Sequence, residues 1–187
     1  MDRFIVGISG ASGVIYGIRL LEALKKYSGG AEVRLIITPS AETNIGIETG
    51  YAIEQVKALA DAVDDYKDFT APTASGSFRT KGMVIAPCSM RTLSDIANSH
   101  SDNLLVRAAD VTLKEGRKLV VVPRETPLHK GHLELMTKVA DIGGVILPPF
   151  PAFYHQPKTI DDIIDQTVGK ILDQLGVEHD IFKRWGE

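Results

Sequence analysis

The chain has 187 residues, 44% of them apolar and 24% charged, with a net charge of −3. That size and balance describe one globular domain with a sizeable core. They exclude a nucleic-acid binder driven by basic charge, a stretch of ~20 apolar residues that could cross a membrane and, with Cys88 as the one cysteine, an internal disulfide. The first residues lack an apolar stretch behind a basic start, so no secretory leader is expected, and the lone cysteine suits a reducing cytoplasm.

Residues 3–8 are apolar and β-branched and read as a buried strand. They run into Gly7-Ile8-Ser9-Gly10-Ala11-Ser12-Gly13, and residues 13–26 then read as a helix with Ile15, Ile18, Leu21 and Leu24 on one face. Strand, glycine-rich turn and helix form a layout in which backbone approaches an anion and helix N-terminal amides point at it. The same spacing also suits a tight turn with no ligand. It is Gly-x-x-Gly-x-x-Gly, not the dinucleotide Gly-x-Gly-x-x-Gly.

Residues 33–38 read as a second strand and residues 41–47 as a helix opened by Pro39 and Ser40. The β-α-β-α order predicts a parallel, doubly wound sheet. A dinucleotide site wants an acid at the end of the second strand. Here that place holds Thr38-Pro39-Ser40, and Glu32 lies at the strand's beginning. A hydroxyl there suits a mononucleotide better than NAD. A further helix is expected over residues 53–62. The acids between residues 39 and 70 read as a solvated face, and the Ser/Gly-rich residues 71–77 as a surface loop with the composition of a mobile lid.

The third clear strand is residues 82–86, followed by Pro87-Cys88-Ser89-Met90-Arg91-Thr92 and a helix over residues 93–98. Ser89 and Thr92 can cap that helix or bind an anion. Cys88 reads as a small buried hydrophobe and not as a nucleophile. Residues 103–115 read as a helix with Arg107, Asp110 and Lys114 on one side, either an ion-paired face or a basic wall for a phosphate.

The fourth strand, residues 118–122, ends beside Arg124 and Glu125, where parallel sheets present ligands, so Glu125 is the leading acid–base candidate. His129 and His132, with Glu134 as the nearby carboxylate, are too few to hold zinc. A helix over residues 133–142, a fifth strand over 145–147, a proline-bounded loop with Tyr154 and His155, and a last helix over 159–175 complete the pattern. Trp185 closes the chain and reads as frayed or docked on a neighbour.

The motifs at residues 7–13, 71–77, 87–89, 103–115, 122–125, Phe153-Tyr154-His155-Gln156-Pro157 and Arg184-Trp185-Gly186-Glu187 span nearly the whole chain. In that order the chain resembles the flavin prenyltransferases of the UbiX type. The resemblance implies a single three-layer α/β/α Rossmann-like flavoprotein domain over residues 1–187 that assembles into a homo-oligomer, typically a dodecamer. It implies FMN contacts from Gly10, Ala11, Ser12, Thr38, Ser89, Met90, Arg91, Thr92 and Arg124. Dimethylallyl phosphate would be held by Tyr154 and Lys170, with Arg107, Lys114 and Arg124 adding charge and Phe69 an aromatic wall.

Glu48 and Glu125 match the family's acidic catalytic positions. Phe69 falls where some members carry Trp, and Lys170 where some carry Arg. The implied reaction joins the prenyl group to N5 and C6 of reduced FMN without a metal. The product would serve a UbiD-type decarboxylase. Glu125 would protonate the departing phosphate, Lys114 would stabilise its charge, and Ser12 with Glu48 would act as base for ring closure. Two other classes remain: an FMN-dependent decarboxylase of the same fold, acting on a peptide or cysteine-derived acid, and an FMN carrier without turnover.

Overall fold

A computed structural model describes residues 2–186. Glu187, the last residue of the C-terminal motif, lies outside the described residues. Six parallel strands form one sheet: β1 (Arg3–Ile8), β2 (Glu32–Ile37), β3 (Ala62–Val63), β4 (Gly82–Cys88), β5 (Lys118–Pro123) and β6 (Val145–Ile146). Their order across the sheet is β3-β2-β1-β4-β5-β6. The helices are α1 (Val14–Tyr27), α2 (Pro39–Glu48), α3 (Ile53–Lys57), α4 (Met90–Ala97), α5 (Leu104–Lys114), α6 (Lys130–Asp141) and α7 (Ile160–Leu175). The chain reverses direction across the sheet between β1 and β4, which is where doubly wound folds open a ligand crevice.

The central strands are apolar on both faces because helices cover both. Alternation along them divides the core. Phe4, Val6, Ile8, Val84, Ala86, Val120 and Val122 meet α1 and α7 on one side. Ile5, Met83, Ile85, Leu119 and Val121 pack with residues of α4, α5 and α6 on the other. Helix α1 lies so close to the sheet that a Cβ at Gly17 would fall 2.3 Å from the Ala86 carbonyl oxygen. Arg19 ties α1 to α7 through Asp165 at 2.7 Å and Asp161 at 3.0 Å.

Two expectations are corrected. The helix expected over residues 53–62 ends at Lys57. Beyond it Asp61 accepts from and donates to the backbone of Val33, which draws Ala62 and Val63 into the sheet as an edge strand. The loop at residues 71–77 is tied down, unlike a mobile lid. Thr73 is buried with its hydroxyl on Asp64, and Arg107 and Arg117 hold the carbonyls of Ala74 and Gly76.

Candidate functional site

The carboxyl ends of β1 and β4 define the crevice. β1 runs into the turn Ser9–Gly13 and β4 into Ser89. Ser9, with no exposed surface, joins the two turns. Its hydroxyl donates to the Pro87 carbonyl at 3.0 Å and accepts from the Ser89 amide at 2.8 Å. The sequence reading overlooked this residue. Its signal is a hydroxyl at the end of an otherwise apolar strand, a group that must find partners inside the protein.

Ser89 caps α4 by accepting from the Thr92 amide at 3.2 Å, and its hydroxyl also donates to Thr92 Oγ1 at 3.1 Å. The cap starts α4 at Met90, earlier than the apolar pattern suggests. Thr38 caps α2 in the same way, accepting from Ala41 at 3.2 Å, with Pro39 in the first turn. Ser12 is exposed on the first turn. Arg91 is exposed and leans toward Asp95 and Asp102, at 4.0 and 3.7 Å. The Thr38 hydroxyl accepts from the backbone and keeps its proton for a ligand, whereas the Ser89 proton is engaged by Thr92.

The Glu48 carboxylate accepts from the amides of Gly13 and Val14 at 2.8 and 3.3 Å. This places it one residue from Ser12. It also means that the anion on the first turn of α1 is supplied by the protein itself. A phosphate placed there would displace Glu48.

Arg124 follows β5, with its amide on the Cys88 carbonyl at 3.1 Å. The charge of Arg124 reaches Tyr16 of α1. Burial pushes the Tyr16 hydroxyl up, while the Thr167 side chain and the Arg124 charge pull against that shift. Glu125 is exposed and accepts from the Thr126 amide at 3.0 Å. Cys88 has no exposed surface, and burial pushes its thiol far up, so it stays protonated and inert.

The remaining predicted residues lie elsewhere on the protomer. Lys114 ends α5 beside Gly76 and pairs with Glu115, at the amino ends of the strands. β5 then rises about 20 Å, at 3.3 Å per residue, before it reaches Arg124. One protomer therefore does not bring Lys114 and Arg124 together. Arg107 pairs with Asp110 at 2.8 Å. Phe69 is 47% exposed. Tyr154 meets Trp185 and His155 edge-on, with centroids 5.6 and 5.5 Å apart.

Lys170 lines a groove of about 300 Å³ with Val145, Leu147, Phe150 and Gln166, and donates to Asp173 at 3.3 Å. Asp173 also holds Arg184 at 2.8 Å and His179 at 3.1 Å. Burial alone would raise its carboxyl, but these partners outweigh burial and hold it below the ordinary range. His129 and His132 stack at 3.6 Å, while Glu134 turns to Lys130 at 3.4 Å.

FMN fits this crevice by the chemistry of its lining. Two turns expose hydroxyls and backbone, and Arg91 and Arg124 are both exposed after them. The first turn is open because Gly10 has no side chain; a Cβ there would lie 2.3 Å from that of Ser40.

Fold and crevice together define a doubly wound flavoprotein, and residues 1–173 match the Flavoprotein family model. The chain is 58% identical over 183 residues to the flavin prenyltransferase UbiX of Thauera aromatica, covering 98% of this chain and 93% of that one. It superposes on AnUbiX, crystallised in complex with FMN and dimethylallyl pyrophosphate, with a TM-score of 0.97 at 45% identity; the match covers 100% of this chain and 98% of that one. It superposes on a dodecameric FMN-dependent UbiX-like decarboxylase from Escherichia coli O157:H7 with a TM-score of 0.96 at 47% identity, covering 99% and 100%. The chain belongs to the UbiX flavin prenyltransferase family.

Proposed function

We propose that this protein transfers the dimethylallyl group of dimethylallyl phosphate to N5 and C6 of reduced FMN. The observation that carries the reading is the crevice at the β1–β4 reversal, where Ser9 joins two hydroxyl-lined turns and the Arg124 amide meets the Cys88 carbonyl. The relatives support it: proteins 48–58% identical over nearly the whole chain are named flavin prenyltransferases or a probable one. They favour it over a decarboxylase or a passive carrier.

Reduced FMN, the prenyl acceptor, supplies the nucleophilic atoms. Gly10, Ala11, Ser12, Thr38, Ser89, Met90, Arg91, Thr92 and Arg124 hold it. Tyr154, Lys170, Arg107 and Lys114 bind the prenyl phosphate, and fixed positive charge favours departure of phosphate. Glu125 gives the leaving phosphate its proton, and Glu48 with Ser12 takes the proton released on ring closure. Phe69 helps keep water from the allyl group while it carries positive character.

The separation of Lys114 from Arg124 supports a site completed by neighbouring subunits. Exposed Trp185, Phe150 and Phe153, at 81, 69 and 68%, suit burial between copies of the chain. We further propose a dodecamer, a cytoplasmic setting and delivery of the prenylated flavin to a UbiD-type decarboxylase. No described helix is long and apolar enough to cross a membrane.

The test is to incubate the protein with reduced FMN and dimethylallyl phosphate and weigh the flavin. A gain of one isoprenyl unit is expected. A flavin of unchanged mass overturns the reading.

A further inference from the structure

Helix α2 carries a second polar stripe besides its capped end. Ser40, Asn44 and Glu48 are four residues apart, so they share one face of the helix. Each meets the first turn at a successive point. The Ser40 Cβ lies where a Cβ on Gly10 would stand, at 2.3 Å. Asn44 donates its amide to the Ala11 carbonyl at 3.2 Å. Glu48 accepts from Gly13 and Val14. The adjoining stripe, Ala41 and Ile45, is buried at 0 and 1% exposure and locks α2 to the core. The helix is thus held by its apolar residues and grips the turn with its polar ones. Ser12 lies between the Asn44 contact and the Glu48 contact.

We infer that Asn44 is a positioning residue for the flavin site, fixing the Ala11 peptide and, through it, the direction of Ser12 and of the flavin-facing backbone. The inference rests on the FMN reading above. Asn44 touches neither the prenyl phosphate residues nor the reacting atoms. Its effect passes through the 10–14 backbone, which α2 holds at three points. Without the Asn44 amide the middle point is lost, and α2 meets the turn through Ser40 at Gly10 and Glu48 at Gly13 and Val14.

The test compares Asn44→Ala with Thr43→Ala. Thr43 sits next to Asn44 on α2, but its hydroxyl turns to the Pro39 carbonyl in the helix itself. FMN affinity is read by quenching of flavin fluorescence, and the melting temperature is read without flavin. Asn44→Ala should weaken FMN about tenfold, within the range of one lost hydrogen bond, and lower the flavin-free melting temperature by only a few degrees. Thr43→Ala should bind FMN as the wild type does. Asn44→Gln keeps the amide donor on a longer arm and should recover part of the affinity. Equal FMN affinity in Asn44→Ala and wild type overturns the inference, and so does an equal loss in Thr43→Ala. Wild-type protein that binds no FMN overturns the flavin reading and this inference with it.

Discussion

The Glu48 carboxylate lies 2.8 Å from the Gly13 amide nitrogen, bridging the end of α2 to the start of α1 across 35 residues of sequence. It acts as a cap supplied from a distance, because Gly13 itself has no side chain to cap with. Glu48→Ala should cost about 1 kcal/mol of stability, the usual worth of a helix cap, in urea unfolding of the flavin-free protein. Unchanged stability would show that water replaces the carboxylate at no cost.

Glu125 is expected to act through its proton. Its carboxylate accepts from the Thr126 amide, and an unprotonated carboxylate at the position after Arg124 would oppose an incoming phosphate. Glu125→Gln should lose roughly 10²–10⁴-fold in single-turnover prenylation, the contribution typical of general acid catalysis. FMN affinity should stay near the wild-type value. Equal rates for the two proteins would remove Glu125 from the mechanism.

A site shared between subunits predicts complementation. Lys114→Ala and Arg124→Ala should each be nearly inactive. Oligomers assembled from a mixture of the two should regain part of the activity, because some sites draw an intact lysine from one subunit and an intact arginine from its neighbour. Mixed oligomers no more active than their parents would place both residues' roles within one subunit.

Asp173 makes stability depend on pH in the acid range. Its carboxyl is held below the ordinary range in the folded protein by Arg184, Lys170 and His179. A depressed folded pKa gives stability that is complete above the unfolded value of about 3.9 and is lost as pH falls through the lower folded value. The difference in melting temperature between wild type and Asp173→Asn should therefore narrow below about pH 4. A difference that persists unchanged at more acid pH would mean the charge is not what holds the tail.

Cys88→Ala should keep turnover within a few-fold and cost about 1 kcal/mol, as for a small buried truncation. The thiol has no exposed surface and burial keeps it protonated. Complete loss of activity in a folded, FMN-binding variant would expose a chemical role.

The strands were legible because central parallel strands are apolar on both faces, and β1, β4 and β5 read as unbroken runs. Helix starts were less so. α4 and α6 begin several residues before their apolar patterns, since Ser89 and the turn at His129 set the first turn. β3 was hidden because two residues carry no period, and it is the pairing of residues 61–64 with β2 that makes them a strand. The turn at residues 9–13 and the Arg124-Glu125 pair could be found from local composition. The grip of α2 on that turn could not, because its contacts join residues more than 30 apart and its polar stripe gives no hydrophobic signal. The pinned loop at residues 71–77 escaped for the same reason: Arg107 and Arg117 lie far along the chain.

The hydroxyl of Ser9 leaves position 9 with almost no freedom to vary. Alanine strands the Ser89 amide, valine fills the space but offers nothing to it, and threonine must find room for a methyl group where no surface is exposed. Neutral drift at this position should be nearly frozen, while exposed Ser12, three residues on, is free of any such packing restraint.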